Sequence, residues 1–291
     1  MESDQHNRAR QEEVNGSMFY ALLSEFVGCV AINLFGCASA IQLMPVLTVT
    51  VLSMALTFGL IYIVCTVMFR KISGARFNPA ITMGMMVINK MKLFRGVFYI
   101  GAQLIGSCVG SLILYCIAPI DESQQFFHRN YSLGVTVPVE SITHVQAMLV
   151  ELIPTFILML TILTTMETNS TAVQQLAPFA IGLVFIAGIC AFAQFTGGSF
   201  NPARSFGAAL LADYWAGHWV YWAGPILGAI LAALLFKAAF ENNLRDHEEL
   251  GYEEDFLEHE VVDEESQGPV IPKVDKAVQA KTTVEPGRST N

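Results

Sequence analysis

Gly197-Gly198-Ser199-Phe200-Asn201-Pro202-Ala203-Arg204-Ser205-Phe206-Gly207 decides the fold of this 291-residue chain, together with a relative upstream, Ser73-Gly74-Ala75-Arg76-Phe77-Asn78-Pro79-Ala80-Ile81-Thr82-Met83-Gly84. In each, a glycine-bearing polar segment reaches Asn-Pro-Ala and then runs into about nine mostly apolar residues. Proline directly after Asn suits a helix start, because the missing N–H falls where no intrahelical acceptor exists. Asn is itself a preferred capping residue. Each stretch therefore reads as a loop that delivers a short helix. About ten residues rise roughly 15 Å, half of a hydrocarbon layer about 30 Å thick. Two such pieces, entering from opposite faces and meeting N-terminus to N-terminus, would together cross a bilayer.

Composition places the chain in a membrane: 53% of residues are hydrophobic and 14% charged. Residues 18–240 hold nine Lys/Arg against seven Asp/Glu, whereas residues 241–291 hold five against fourteen. The net charge of −9 thus belongs to the C-terminal tail, and the basic patches that nucleic acid requires are absent from the sequence. Residues 1–17 are polar and lack the apolar core of a signal peptide. Six apolar runs follow, near 18–40, 46–69, 94–117, 145–166, 176–195 and 218–240, each close to the twenty or so residues that span a bilayer. The expected organisation is a tail over 1–17, a membrane domain over 18–240 with repeats 18–117 and 145–240, and a disordered acidic tail over 241–291.

Arg70, Lys71, Lys90, Lys92 and Arg95 flank the link between the second and third runs, while the links after runs one, three and five hold Arg129 and Arg204. The positive-inside rule puts the second-to-third link in the cytoplasm, and six spans then put both termini there. The sequon at Asn130 falls outside as a glycosylation acceptor, and those at Asn15 and Asn169 fall inside. The two halves repeat: Glu25-Phe26-Val27 answers Glu151-Leu152-Ile153, Asn78 answers Asn201, and Gly106/Gly110 answers Gly224/Gly228. Three spans per repeat is an odd number, so the second copy must be inverted, an arrangement that builds solute paths at mid-membrane.

These residues resemble the aquaporin (major intrinsic protein) family over about residues 18–240. The resemblance implies an all-α right-handed bundle of six spanning helices plus two re-entrant half-helices, a pore in each subunit and a homotetramer in the plasma membrane. The pore motifs would be Asn78, Pro79 and Ala80 with Asn201, Pro202 and Ala203. Spacing from the two asparagines carries the family's constriction onto Phe58, Ile189, Gly198 and Arg204. Water channels of the family usually place His where this chain has Ile189, so the expected filter is more apolar and wider, with Gly198 leaving space opposite. Ser205, Ala209, Tyr221 and Trp222 nonetheless look like the water-selective branch. The implied function is passive passage of water, with glycerol, urea or ammonia as further solutes and with protons and ions excluded. Arg76 stands where many relatives have His, lining the path through its backbone carbonyl or, alternatively, gating the mouth with its side chain. Gly198, where Cys is often found, implies weak mercurial inhibition at that position.

Two other classes compete. Glu25 and Glu151 are acids within spans, and a proton-coupled transporter would use them as relays. They can instead accept hydrogen bonds from the backbone of the re-entrant loops, whose N–H groups must not be left bare in lipid. An intramembrane enzyme finds no support, since the spans hold no G-x-S-x-G, no H-E-x-x-H and no paired aspartates. Six cysteines without C-x-x-C and six histidines without ligand spacing imply no metal and no cofactor. Arg70-Lys71-Ile72-Ser73 has the form of a basophilic phosphorylation site, although topogenic charge already accounts for its basic pair.

Overall fold

The computed structural model describes residues 2–41, 50–118, 133–166, 168 and 170–241, with side chains from Ser17 onward. These residues fall in one unit, Met1–Arg245; a second, Asp246–Asn291, lies outside the described residues, as does the acidic tail expected there. Among the described residues all regular structure is helical: α1 (Glu2–Ala38), α2 (Val51–Phe69), α3 (Pro79–Val87), α4 (Leu93–Ile117), α5 (His144–Met166), α6 (Thr171–Thr196), α7 (Pro202–Ala212) and α8 (Val220–Leu235). α8 continues as a π-helical turn over Phe236–Phe240. Six helices are long and apolar enough to cross a membrane, and α3 and α7 are the two short ones.

Helix boundaries follow local chemistry more than hydropathy. The second run was expected from Val46, but α2 starts at Val51, where Thr50 and Ser53 form a reciprocal capping box, Ser53 N to Thr50 Oγ1 at 3.0 Å and Thr50 N to Ser53 Oγ at 3.2 Å. α6 starts five residues before the apolar run, because Ser170 caps it. α1 extends ahead of the first span, which runs from Ser17 to Ala38. The charged residues 2–17, expected as a polar tail, continue the first span as helix; Glu, Arg and Gln are good helix formers, and charge on a helix outside the apolar layer costs little.

Each spanning helix shows two faces. On α2, Ala55, Phe58, Gly59, Tyr62, Cys65 and Thr66 are buried, while Leu52, Leu56, Leu60, Val64 and Val67 are exposed at helical spacing. The exposed face is apolar because its neighbour is lipid. Small residues bring the helices into backbone contact: a Cβ on Gly106 would stand 2.4 Å from the Phe26 carbonyl oxygen, and one on Gly110 2.5 Å from that of Val30. Gly224 and Gly228 of α8 meet α5 the same way, at 2.5 Å from the Met148 oxygen and 2.3 Å from that of Leu152. α1 thus packs on α4 as α5 packs on α8, and the small-xxx-small spacing does in both repeats what close packing in lipid requires.

Candidate functional site

Asn78 caps α3 with extended backbone (φ −153°, ψ 118°), and its Oδ1 accepts from Ala80 N at 2.9 Å. Asn201 caps α7 likewise (φ −152°, ψ 111°), its Oδ1 accepting from Ala203 N at 3.0 Å and Arg204 N at 3.4 Å. Pro79 and Pro202 hold the first helical position of each. With the oxygens tied to their own helices, the amide nitrogens point across. Asn78 Nδ2 donates to the Phe200 carbonyl at 2.7 Å, and Asn201 Nδ2 donates to the Phe77 carbonyl at 2.8 Å. The two half-helices therefore abut N-terminus to N-terminus, the partial positive ends of both dipoles at one place.

The loops that deliver them share a backbone. Gly74, Ala75 and Phe77 have φ of 87°, 51° and 48°; the matched Gly197, Gly198 and Phe200 have 81°, 66° and 57°. A left-handed conformation costs a residue with a side chain roughly 1–2 kcal/mol, so Phe77 and Phe200 must be held there by neighbours. The buried carboxylates touch both. Glu25 Oε1 accepts from Ser73 Oγ at 2.6 Å and Arg76 N at 2.9 Å, and its Oε2 from Phe77 N at 2.7 Å and Gln103 Nε2 at 2.8 Å. Glu151 Oε1 accepts from Thr196 Oγ1 at 2.6 Å and Ser199 N at 3.1 Å, and its Oε2 from Phe200 N at 2.7 Å. Tyr99 and Tyr221 complete the match by donating to the carbonyls of Ser73 at 3.0 Å and Thr196 at 2.7 Å. Ser73, whose basic neighbours give it the form of a phosphorylation site, is buried with its hydroxyl on Glu25. The Arg76 guanidinium folds back over its own loop, its Nε 3.2 Å from where a Cβ on Gly74 would be.

Phe58, Ile189, Gly198 and Arg204 come from α2, α6, the second loop and α7, and the structure brings them together in two pairs, Phe58 with Arg204 and Ile189 with Gly198. Arg204 is buried, its Cζ 5.1 Å from the centroid of the Phe58 ring, and its Nη1 donates to the Gly134 carbonyl at 2.5 Å. Ile189 adjoins Gly198: a Cβ on Gly198 would stand 3.3 Å from Ile189 Cγ1 and 3.4 Å from the Ala193 Cβ, so Ile189 and Ala193 border the space that the glycine leaves. Glycine serves the close approach and the positive φ.

Sequence reasoning missed several neighbours. Gln103 bonds both Glu25 and Thr82 (2.9 Å), and Thr136, Ser205 and Ser199 form a buried hydroxyl chain with links of 2.6 Å. Tyr62 reaches Asn201 Nδ2 with its hydroxyl at 2.8 Å. Tyr62 and Phe185 lie four residues from Phe58 and Ile189 on the same helix faces. His218 packs among Phe206, Trp215 and Tyr221, and its Nε2 accepts from Trp222 Nε1 at 3.1 Å. Burial lowers its pKa, which keeps the ring neutral and able to accept. The Asn130 sequon lies outside the described residues, as does that at Asn169.

The family model for the major intrinsic protein matches residues 13–236. The chain is 37% identical over 237 residues to aquaporin-5 of Homo sapiens, covering 81% of this chain and 86% of that one. It is 37% identical over 223 residues to aquaporin-4 of Mus musculus, covering 76% and 67% respectively. An X-ray structure of the aquaglyceroporin from Plasmodium falciparum superposes with a TM-score of 0.68 at 24% identity, over 78% of this chain and 99% of that one, a likeness of fold. Six apolar spans, two abutting half-helices and these matches agree: the chain belongs to the major intrinsic protein (aquaporin) family and is a multi-pass membrane channel for water or small solutes, not an enzyme.

Proposed function

We propose that the channel conducts water passively, admits small uncharged solutes such as glycerol and urea as far as its constrictions allow, and excludes protons and other ions. The observation that carries this reading is the reciprocal crossing of Asn78 and Asn201 over two opposed half-helix N-termini. Each helix end presents roughly half a positive charge, so a water molecule beside them turns its oxygen to the paired helix ends and its hydrogens outward on both sides. A chain of waters oriented in opposite senses cannot pass a proton through its middle, and cations meet the same barrier. Phe58, Ile189, Gly198 and Arg204 would form the outer constriction, with the permanent Arg204 charge adding to cation repulsion.

In this reading Glu25 and Glu151 anchor the loops. Their oxygens accept the N–H and O–H groups of the segments carrying Phe77 and Phe200, which supports an anchoring role over a proton relay. Both termini are placed in the cytoplasm by Lys/Arg distribution, and the protein would work in the plasma membrane as a homotetramer with one pore per subunit. Purified protein in liposomes, subjected to an osmotic jump with and without an imposed proton gradient, tests this. Shrinkage faster than in empty vesicles and indifferent to the gradient is expected; solute movement that requires the gradient would establish a coupled transporter instead.

A further inference from the structure

One helical turn from Phe58 and Ile189, along α2 and α6, stands an aromatic pair, Tyr62 and Phe185, that no motif of the sequence announces. Tyr62 is four residues after Phe58 on α2 and Phe185 four before Ile189 on α6, so each lies on its partner's helix face, about 6 Å further along the axis. α2 and α6 cross at Gly59 and Gly182, where a Cβ on either would fall 2.7 Å from the other's carbonyl oxygen. With the backbones this close, the large side chains beside the crossing meet face to face. The Tyr62 ring stacks on Phe185 with centroids 3.7 Å apart and planes 15° from parallel, and Phe185 has Phe200 as its next neighbour at 6.1 Å. Both Tyr62 and Phe185 are buried.

The hydroxyl adds a chemical asymmetry. An Asn amide has two N–H donors. Asn201 spends one on the Phe77 carbonyl and the other on Tyr62 Oη. Asn78 spends one on the Phe200 carbonyl, and no acceptor among the described residues takes its second. The repeat symmetry of the two asparagines is therefore broken by a single side chain.

We propose that Tyr62 is a specificity-determining residue of this channel. Stacked on Phe185 it sets the solute size limit at Asn201, and its hydroxyl occupies the donor that a passing molecule would otherwise use. The Tyr62 O–H still has its own proton to offer, so a water molecule can exchange with it using one hydrogen bond. A polyol, which needs width and several contacts at once, exchanges far less readily. This pair and the proposed outer constriction act in series and the narrower one governs, so Ile189 does not by itself make the channel permissive. This rests on the pore path described above.

The test uses the full-length protein in liposomes, measuring water efflux and glycerol and urea uptake for wild type, Tyr62→Val, Tyr62→Phe and the double variant Tyr62→Val with Ile189→His. Tyr62→Val should raise the glycerol-to-water and urea-to-water ratios several-fold. Adding Ile189→His should bring both ratios down again, because the outer constriction then governs. Tyr62→Phe keeps the stacked ring and frees Asn201, so water efflux should rise without any rise in the solute ratios. Tyr62→Leu replaces Tyr62→Val should the latter fail to reconstitute. Solute ratios identical in wild type and in the aliphatic variants overturn the role of Tyr62 while leaving the channel intact. Water efflux no faster than empty lipid in every variant overturns the channel reading and this inference with it.

Discussion

At the scale of single residues the two carboxylates carry the most consequence. Glu151 is wholly buried and accepts three hydrogen bonds, two from backbone N–H groups of a loop that holds Phe200 in a left-handed conformation. Hydrogen bonds to a charged acceptor contribute about 1.5–3 kcal/mol each, and a buried donor left facing another donor costs about 1–3 kcal/mol. Glu151→Gln keeps the shape but turns one acceptor into an NH2 group, which must confront either Phe200 N or the pair from Thr196 and Ser199. The expected loss of stability is about 2–4 kcal/mol, read as a drop in thermal denaturation midpoint in detergent. Water efflux per folded molecule should remain independent of a proton gradient. Full stability with abolished flux would mark the acid as a relay. Gly198 shows the opposite kind of residue, whose value lies in what it lacks: with φ of 66° and Ile189 packed against it, even one methyl group is crowded and strained.

Helices in this protein are joined by backbone contact, and the elements are correspondingly intolerant at a few points. Gly228 of α8 would place a Cβ 2.3 Å from the Leu152 carbonyl oxygen on α5, which a rigid backbone cannot yield. Gly101 on α4 has nothing within 4 Å of its would-be Cβ. Gly228→Leu should therefore prevent α5–α8 packing, with loss of the monodisperse peak on size exclusion in detergent. Gly101→Ala should be tolerated and should gain roughly 0.5–1 kcal/mol from helix propensity alone. Equal yields for both would show that these helices can separate without harm. The short elements were legible from sequence because Asn-Pro-Ala combines a cap, a proline at the first turn and a run too short to span. The start of α2 was not, since apolar residues before Val51 continue the hydropathy signal while the Thr50–Ser53 box determines where the helix begins. Tyr62 was hidden for a related reason: an aromatic in an apolar run faces lipid, core or path with equal ease, and only the crossing at Gly59 and Gly182 decides among them.

For the whole molecule, duplication and inversion explain why so much of the site could be read in advance. Offsets of 126 for the acids, 123 for the asparagines and 122 for the tyrosines are constant enough that each loop predicts its partner, and the structure repeats the same donors on the same acceptors. What duplication could not convey are the features unique to one half, among them the Gln103 amide on Glu25 and the Gly134 carbonyl that receives Arg204. Inversion also fixes a topology that can be tested directly. On the proposed reading, six spans would put both ends of the membrane domain on one side, and Arg70, Lys71, Lys90, Lys92 and Arg95 would make that side the cytoplasm. Asn130, between α4 and α5 in the sequence, would then fall on the opposite side, and Asn15 and Asn169 with the termini. Expressed with microsomes, the wild-type chain should show one glycosidase-sensitive mobility shift. Asn130→Gln should abolish it, and Asn15→Gln and Asn169→Gln should leave it unchanged. A shift that survives Asn130→Gln but disappears with Asn169→Gln would turn the molecule over in the membrane; the mid-plane barrier would survive, since opposed dipoles have no preferred side, but the proposed constriction at Arg204 would then face the cytoplasm.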